Sequence, residues 1–209
     1  MPSWNVHLEA GNRIADKLKF STKEREEFVF GCLLPDINNG YVNHPHTYKS
    51  HEETHYANFE NPVQAFYDEY KEQIDKKDPI FLGYLFHIFT DDFFNSDFEN
   101  RIKDLPISKK SDIEQENLKH NDFWLYGTTY RQFLELPSGE LDTFVARANE
   151  VGPVEINVDD IIELAGIIRV DEINDCIRDN KYILYTKEEL DKVLENTCKK
   201  FTKEYLEKP

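Results

Sequence analysis

Residues 83–94 (GYLFHIFTDDFF) form an apolar, aromatic run that is interrupted by His87 and, four residues later, by Asp91. In an α-helix, residues four apart lie on one face, one turn above the other. The two polar side chains therefore project together from a segment that otherwise reads as core. A carboxylate in apolar surroundings is costly unless it is paired or binds a metal. The pair reads either as a buried His–Asp hydrogen bond or as half of a metal site.

A chain of 209 residues suits one globular domain, or one domain with a smaller appendage. We expect a metal-binding helical core over 1–136 and a C-terminal helical extension over 137–209. The 15 Phe and 11 Tyr against one Met imply a core built largely from rings. A formal charge of −16 disfavours nucleic acid and anionic membrane surfaces as general partners, because like charges repel. A small phosphorylated substrate held by a metal stays open, since local charge decides that case. Cys32, Cys176 and Cys198 are far apart and lack CxxC spacing, which argues against a disulfide framework or a cysteine zinc site. The N-terminus lacks the pattern of a signal peptide and no apolar run approaches 18 residues, so a cytoplasmic chain without stable membrane insertion is expected.

The pattern along the chain predicts helices nearly throughout. Val6, Ala10, Ile14 and Leu18 recur every four residues in a helix from about 5 to 19. Ser21 or Thr22 caps a second helix running through Phe28 and Phe30, with Pro35 marking its end. Residues 36–60 read as a polar loop with four of the seven histidines: His44, His46, His51 and His55. A loop this long inside a compact domain is usually functional or disordered, and its histidines favour function. Asn61-Pro62 opens a helix to about Asp75, Asp78-Pro79 opens the helix with His87 and Asp91, and Ser111 or Asp112 starts one covering His120, Trp124 and Tyr130. Pro137-Ser138-Gly139 breaks it. A short helix near 140–150, a connector at 152–157 and helices near 158–169, 171–180 and 187–206 complete an all-α chain of roughly 8–10 helices, with the metal site in a cleft between them.

With the cysteines set aside, histidines and aspartates must supply any metal ligands. His7 on the first helix, Asp36 after Leu34-Pro35, one or two loop histidines, His87 and Asp91 provide at least two imidazoles and two carboxylates. That set balances a divalent cation and also suits two metals sharing a carboxylate. Individually, His7 also reads as an ordinary core or surface histidine, and Asp36 as a turn residue.

The order Trp4-x-x-His7, Leu34-Pro35-Asp36-Ile37, a histidine loop, then Leu82-Gly83-Tyr84-Leu85-x-His87-x-x-x-Asp91 resembles the zinc-dependent phospholipase C family, in particular its shorter bacterial members. The resemblance covers about residues 3–100 and implies an all-α fold with zinc in a cleft between helices. It implies hydrolysis of phosphodiester bonds in a small phosphorylated or phospholipid-like substrate. Carried across, Asp36, one loop histidine, His87 and Asp91 hold one zinc, and His7 binds a neighbouring ion with Asp91 bridging. His55, close to the next helix, is the preferred loop ligand and His51 the second choice. His44 and His46, flanking Pro45, suit the rim of the cleft. Secreted members also use the amino group of an N-terminal Trp, whereas Trp4 is internal. They take a further zinc from two histidines and a glutamate downstream, where this chain offers only His120, with Asp92 and Asp97 as nearby carboxylates. One or two zinc ions, or another divalent transition metal, are therefore expected.

A metal-bound water would act as nucleophile, with Asp36 as the residue that orients it or takes its proton. Tyr56, Phe86, Trp124 and Tyr126 either line a pocket or belong to the core. Two other readings stay open: a non-catalytic helical protein with a structural or vestigial metal that acts in partner binding, and an HD-type metal phosphohydrolase. The HD-type reading ranks lower because the chain has no His-Asp dipeptide.

Overall fold

A computed structural model describes residues 2–40, 43–130, 134, 136, 139–169 and 181–207. The fold is all-α, with no strand among the described residues. Its axis is the helix that carries the apolar run, α7 below. Before it come α1 (Trp4–Ala15), α2 (Thr22–Gly31), α3 (Leu34–Ile37), α4 (His51–Thr54), α5 (Pro62–Glu69) and α6 (Lys71–Asp75). The central helix α7 spans Pro79–Ile102, followed by α8 (Asp112–Gly127), α9 (Leu141–Ala148), α10 (Val158–Arg169) and α11 (Lys187–Phe201).

Helix α7 starts where the sequence predicts. The Asp78 side chain accepts from the Ile80 amide at 3.1 Å and Pro79 occupies the first turn, where no amide hydrogen is needed. Every residue from Pro79 to Asp91 is buried, so this half of the helix is apolar all round and must be enclosed by others. Helices α1, α2, α3, α5, α6 and α11 all pack against it. The closest approach is to α2, where Gly31 and Gly83 face each other. A Cβ at Gly83 would collide with the Phe28 carbonyl oxygen, and one at Gly31 would stand 2.7 Å from that of Ile80. Rings fill the remaining space: Phe66 stacks on Tyr84 at 4.7 Å, and Phe86 and Phe89 meet Phe201 of α11.

Several boundaries differ from the sequence reading. Helix α1 closes at Ala15, short of the expected end near residue 19, and α8 closes at Gly127, short of Tyr130. Helix α2 ends at Gly31, and Pro35 lies in the first turn of α3 instead of closing α2. The expected loop 36–60 contains the single turn α4, which Ser50 and Glu53 cap reciprocally. The chain then reverses at Tyr56, which holds a left-handed φ of 55°. The helix expected to run to Asp75 breaks at Tyr70, whose hydroxyl accepts the Gly152 amide at 2.8 Å. The last helix turns to π geometry over Thr202–Leu206. The helix expected at 171–180, with Cys176, and the break residues Pro137 and Ser138 lie outside the described residues. Phe86, Tyr56 and Tyr126 are buried in the core, and Trp124 packs edge-on against Trp4.

Candidate metal centre

Four elements aim side chains at one buried point beside α7. His7 comes from α1, Asp36 from α3, His55 from the residue that closes α4, and His87 and Asp91 from one face of α7. All five are buried, His87 completely. His55 Nε2 lies 3.1 Å from His87 Nε2, 3.4 Å from Asp36 Oδ1 and 3.5 Å from Asp91 Oδ2. His87 Nε2 is 3.5 Å from Asp91 Oδ2 and 3.8 Å from Asp36 Oδ2. The His7 ring stacks on that of His87 at 3.9 Å, and its Nε2 is 3.2 Å from Asp91 Oδ1.

The neighbours of these residues fix their orientation. His87 Nδ1 lies 2.7 Å from the Cys32 carbonyl oxygen at the end of α2, so Nδ1 carries the proton and donates. In the neutral ring Nε2 is then a bare lone pair facing two carboxylates and a second imidazole. Thr54 Oγ1 lies 2.8 Å from His55 Nδ1, and the Tyr84 hydroxyl donates to the Thr54 carbonyl. Asn39 Nδ2 donates to Asp36 Oδ1 at 3.1 Å. Beyond the 3.2 Å approach of His7 Nε2 to Asp91 Oδ1, the ring nitrogens of His7 and the carboxylate oxygens of Asp91 are buried without a well-aligned hydrogen bond among the described residues.

The electrostatics follow from this crowding. Burial alone would raise the Asp36 carboxyl, but His87 and His55 outweigh it and hold it well below the usual carboxylate range. Asp91 is likewise held low, with His87 and His7 overcoming burial. His7 is pushed down by burial and by His87, while His87 is raised because Asp36 and Asp91 outweigh its burial. Two ionised carboxylates and three imidazoles enclosed in apolar helices are a donor set able to hold a divalent transition metal. His7, Asp36 and His87 form one group of donors able to share an ion, and His55, His87 and Asp91 form another. The poorly satisfied nitrogens of His7 and oxygens of Asp91 fit the same chemistry, since buried polar groups need well-aligned partners.

A cavity of about 280 Å³ opens onto this centre, lined by His51, His55, Asp91, Asp92, Asn95 and Glu99 among others. His51 begins α4 at the mouth, its ring 4.0 Å from that of His55. The remaining sequence candidates lie elsewhere. His120 pairs with Glu116 on α8 at 3.3 Å, and Asp97 accepts from the Tyr185 hydroxyl at 2.9 Å. His44 and His46 meet Glu163 and Asp160 at the start of α10. Sequence reasoning did not reach the Cys32 carbonyl, Asn39 or Thr54. A backbone carbonyl leaves no mark in sequence, and polar residues beside a ligand look like any turn.

No curated protein and no solved structure matches the chain. Residues 6–94 match the family model described as zinc dependent phospholipase C. This is a little under half of the chain, and it contains all five clustered residues. Over that stretch the chain is similar to the zinc-dependent phospholipase C family.

Proposed function

We propose that this chain is a zinc-dependent hydrolase of phosphoester bonds, of phospholipase C or phosphodiesterase type, with His7, Asp36, His55, His87 and Asp91 as metal ligands. The observation that carries the reading is the convergence of those five buried side chains, from four separate elements, on one point beside an open cavity. Bound zinc would supply a Lewis acid and lower the pKa of its water to around 7.

The chain's own residues do the rest. Cys32 holds the His87 ring so that Nε2 faces the centre, the outer-shell device that fixes a ligating histidine. Asn39 steadies Asp36, leaving that carboxylate to orient the attacking water or take its proton. Nearly complete enclosure by α1, α3 and α7 keeps bulk solvent away from the ligands, which strengthens every charge interaction there. The cavity admits substrate from the side of His51, Asp92 and Asn95. Its volume suits a phosphorylated head group, and longer parts of a lipid-like substrate would stay outside.

Metal analysis of the purified protein tests the ligands. Zinc should co-purify with the wild type and be lost from His87→Ala and Asp91→Ala. Unchanged zinc in both variants would overturn the assignment. A screen of phosphodiesters and phosphomonoesters tests the activity, and zinc-loaded protein that hydrolyses none of them would reduce the centre to a structural role.

A further inference from the structure

Asn38, fully buried two residues beyond Asp36, ties three segments together. Its Nδ2 donates to the Thr47 carbonyl at 2.8 Å and to the Glu155 carbonyl at 2.7 Å, and its Oδ1 accepts the Glu155 amide at 3.0 Å. The Lys49 amide donates to the Asn38 carbonyl at 2.8 Å. The same loop meets the start of α10. The His46 amide and His46 Nδ1 lie 3.1 and 2.8 Å from the two carboxylate oxygens of buried Asp160, and the His44 amide donates to Glu163 at 3.2 Å. Asp160 also accepts the Asn157 amide at 2.8 Å. Behind them, Asn149 pairs with the Ile156 backbone in both directions at 2.9 Å.

Asn149, Glu155, Asp160 and Glu163 all lie beyond residue 94, outside the matched family stretch. They act on the segment whose two ends carry Asp36 and His55. Apart from α3 and the single turn α4, the described part of that segment has no helix of its own to fix it. Ordering such backbone costs conformational entropy at every residue. A segment already held by outside partners does not incur that cost again when its ligands close on an ion.

We infer that residues 149–163 form a clamp that positions the Asp36–His55 segment for metal binding, with Asn38 and Asp160 as positioning residues. The inference rests on the ligand assignment proposed above. By linkage, a clamp that favours the ion must itself be tightened by it.

The test measures zinc affinity on the full chain, by competition with a chromogenic chelator, for wild type, Asn38→Ala, Asp160→Asn and His87→Ala. Outer-shell losses of this kind typically weaken metal binding 10- to 100-fold, and that is the result expected for Asn38→Ala and Asp160→Asn, with the helix content of the zinc-free protein unchanged. In the wild type, zinc should slow hydrogen exchange at the amides of His46, Lys49 and Glu155. Wild-type affinity in both variants, or exchange at those amides that ignores zinc, overturns the clamp while loss of zinc in His87→Ala keeps the ligand assignment. A wild type that binds zinc no better than His87→Ala overturns both. If either variant fails to fold, the exchange experiment on the wild type decides.

Discussion

Asp36 and Asp91 are carboxylates kept ionised inside a protein, and the histidines beside them make that possible. Their pKa values in the fold lie below the ordinary carboxylate value near 4. The stability they contribute is therefore fully present above that value and lost as pH falls through the folded values. His7 and His87 shift in opposite directions, so their effects near pH 6.5 oppose each other and the acid limb belongs to the carboxylates. Denaturation of zinc-free protein should show stability falling steeply below about pH 4, with a shallower fall in Asp36→Asn. Equal slopes for the two proteins would contradict the assignment of that limb to Asp36. At this scale the sequence was informative where chemistry forced a pattern. His87 and Asp91 stand out because they are titratable side chains on one face of a stretch that is otherwise largely apolar, whereas Asn38 and Asn39 look like ordinary turn residues until their partners are known.

Between elements, the contact that matters most is the α2–α7 crossing. Gly31 and Gly83 let the two backbones approach, and that approach brings the Cys32 carbonyl to His87 Nδ1. Gly83→Ala must push the helices apart, and overpacking of this kind costs roughly 1–3 kcal/mol. A lower urea midpoint is expected, together with weaker zinc binding because the His87 ring loses its support. An unchanged midpoint would show that the crossing has slack. Long helices such as α7 and α11 were legible from periodicity and capping residues. The single turn α4 was legible only as an alternative, a helix over residues 50–56, because four residues have no period to read and only the Ser50–Glu53 capping pair marks its start.

For the molecule as a whole, a formal charge of −16 opposes any anionic substrate approaching the cleft. Salt shortens the range of that repulsion from about 30 Å at 0.01 M to about 8 Å at 0.15 M. If the centre hydrolyses phosphoesters, kcat/KM for a dianionic ester should rise several-fold across that range and change little for a zwitterionic one. A parallel response of the two substrates would leave long-range charge without a role in association. No described helix is long and apolar enough to cross a membrane.

The hydrogen bonds from Asn38, His44 and His46 to residues 155–163 also set an order of events during synthesis. Every proposed ligand has been translated by residue 91, yet the partners that order the loop between two of them emerge only later. At ribosomal speeds of about 5–20 residues per second, that interval is on the order of ten seconds. The nascent chain passes through it with its histidines made and their loop untethered. If the proposed clamp and ligands hold, capture of an ion belongs to the late steps of maturation, and a chain stalled or cut before α10 would carry the five proposed ligands in a form that holds metal poorly.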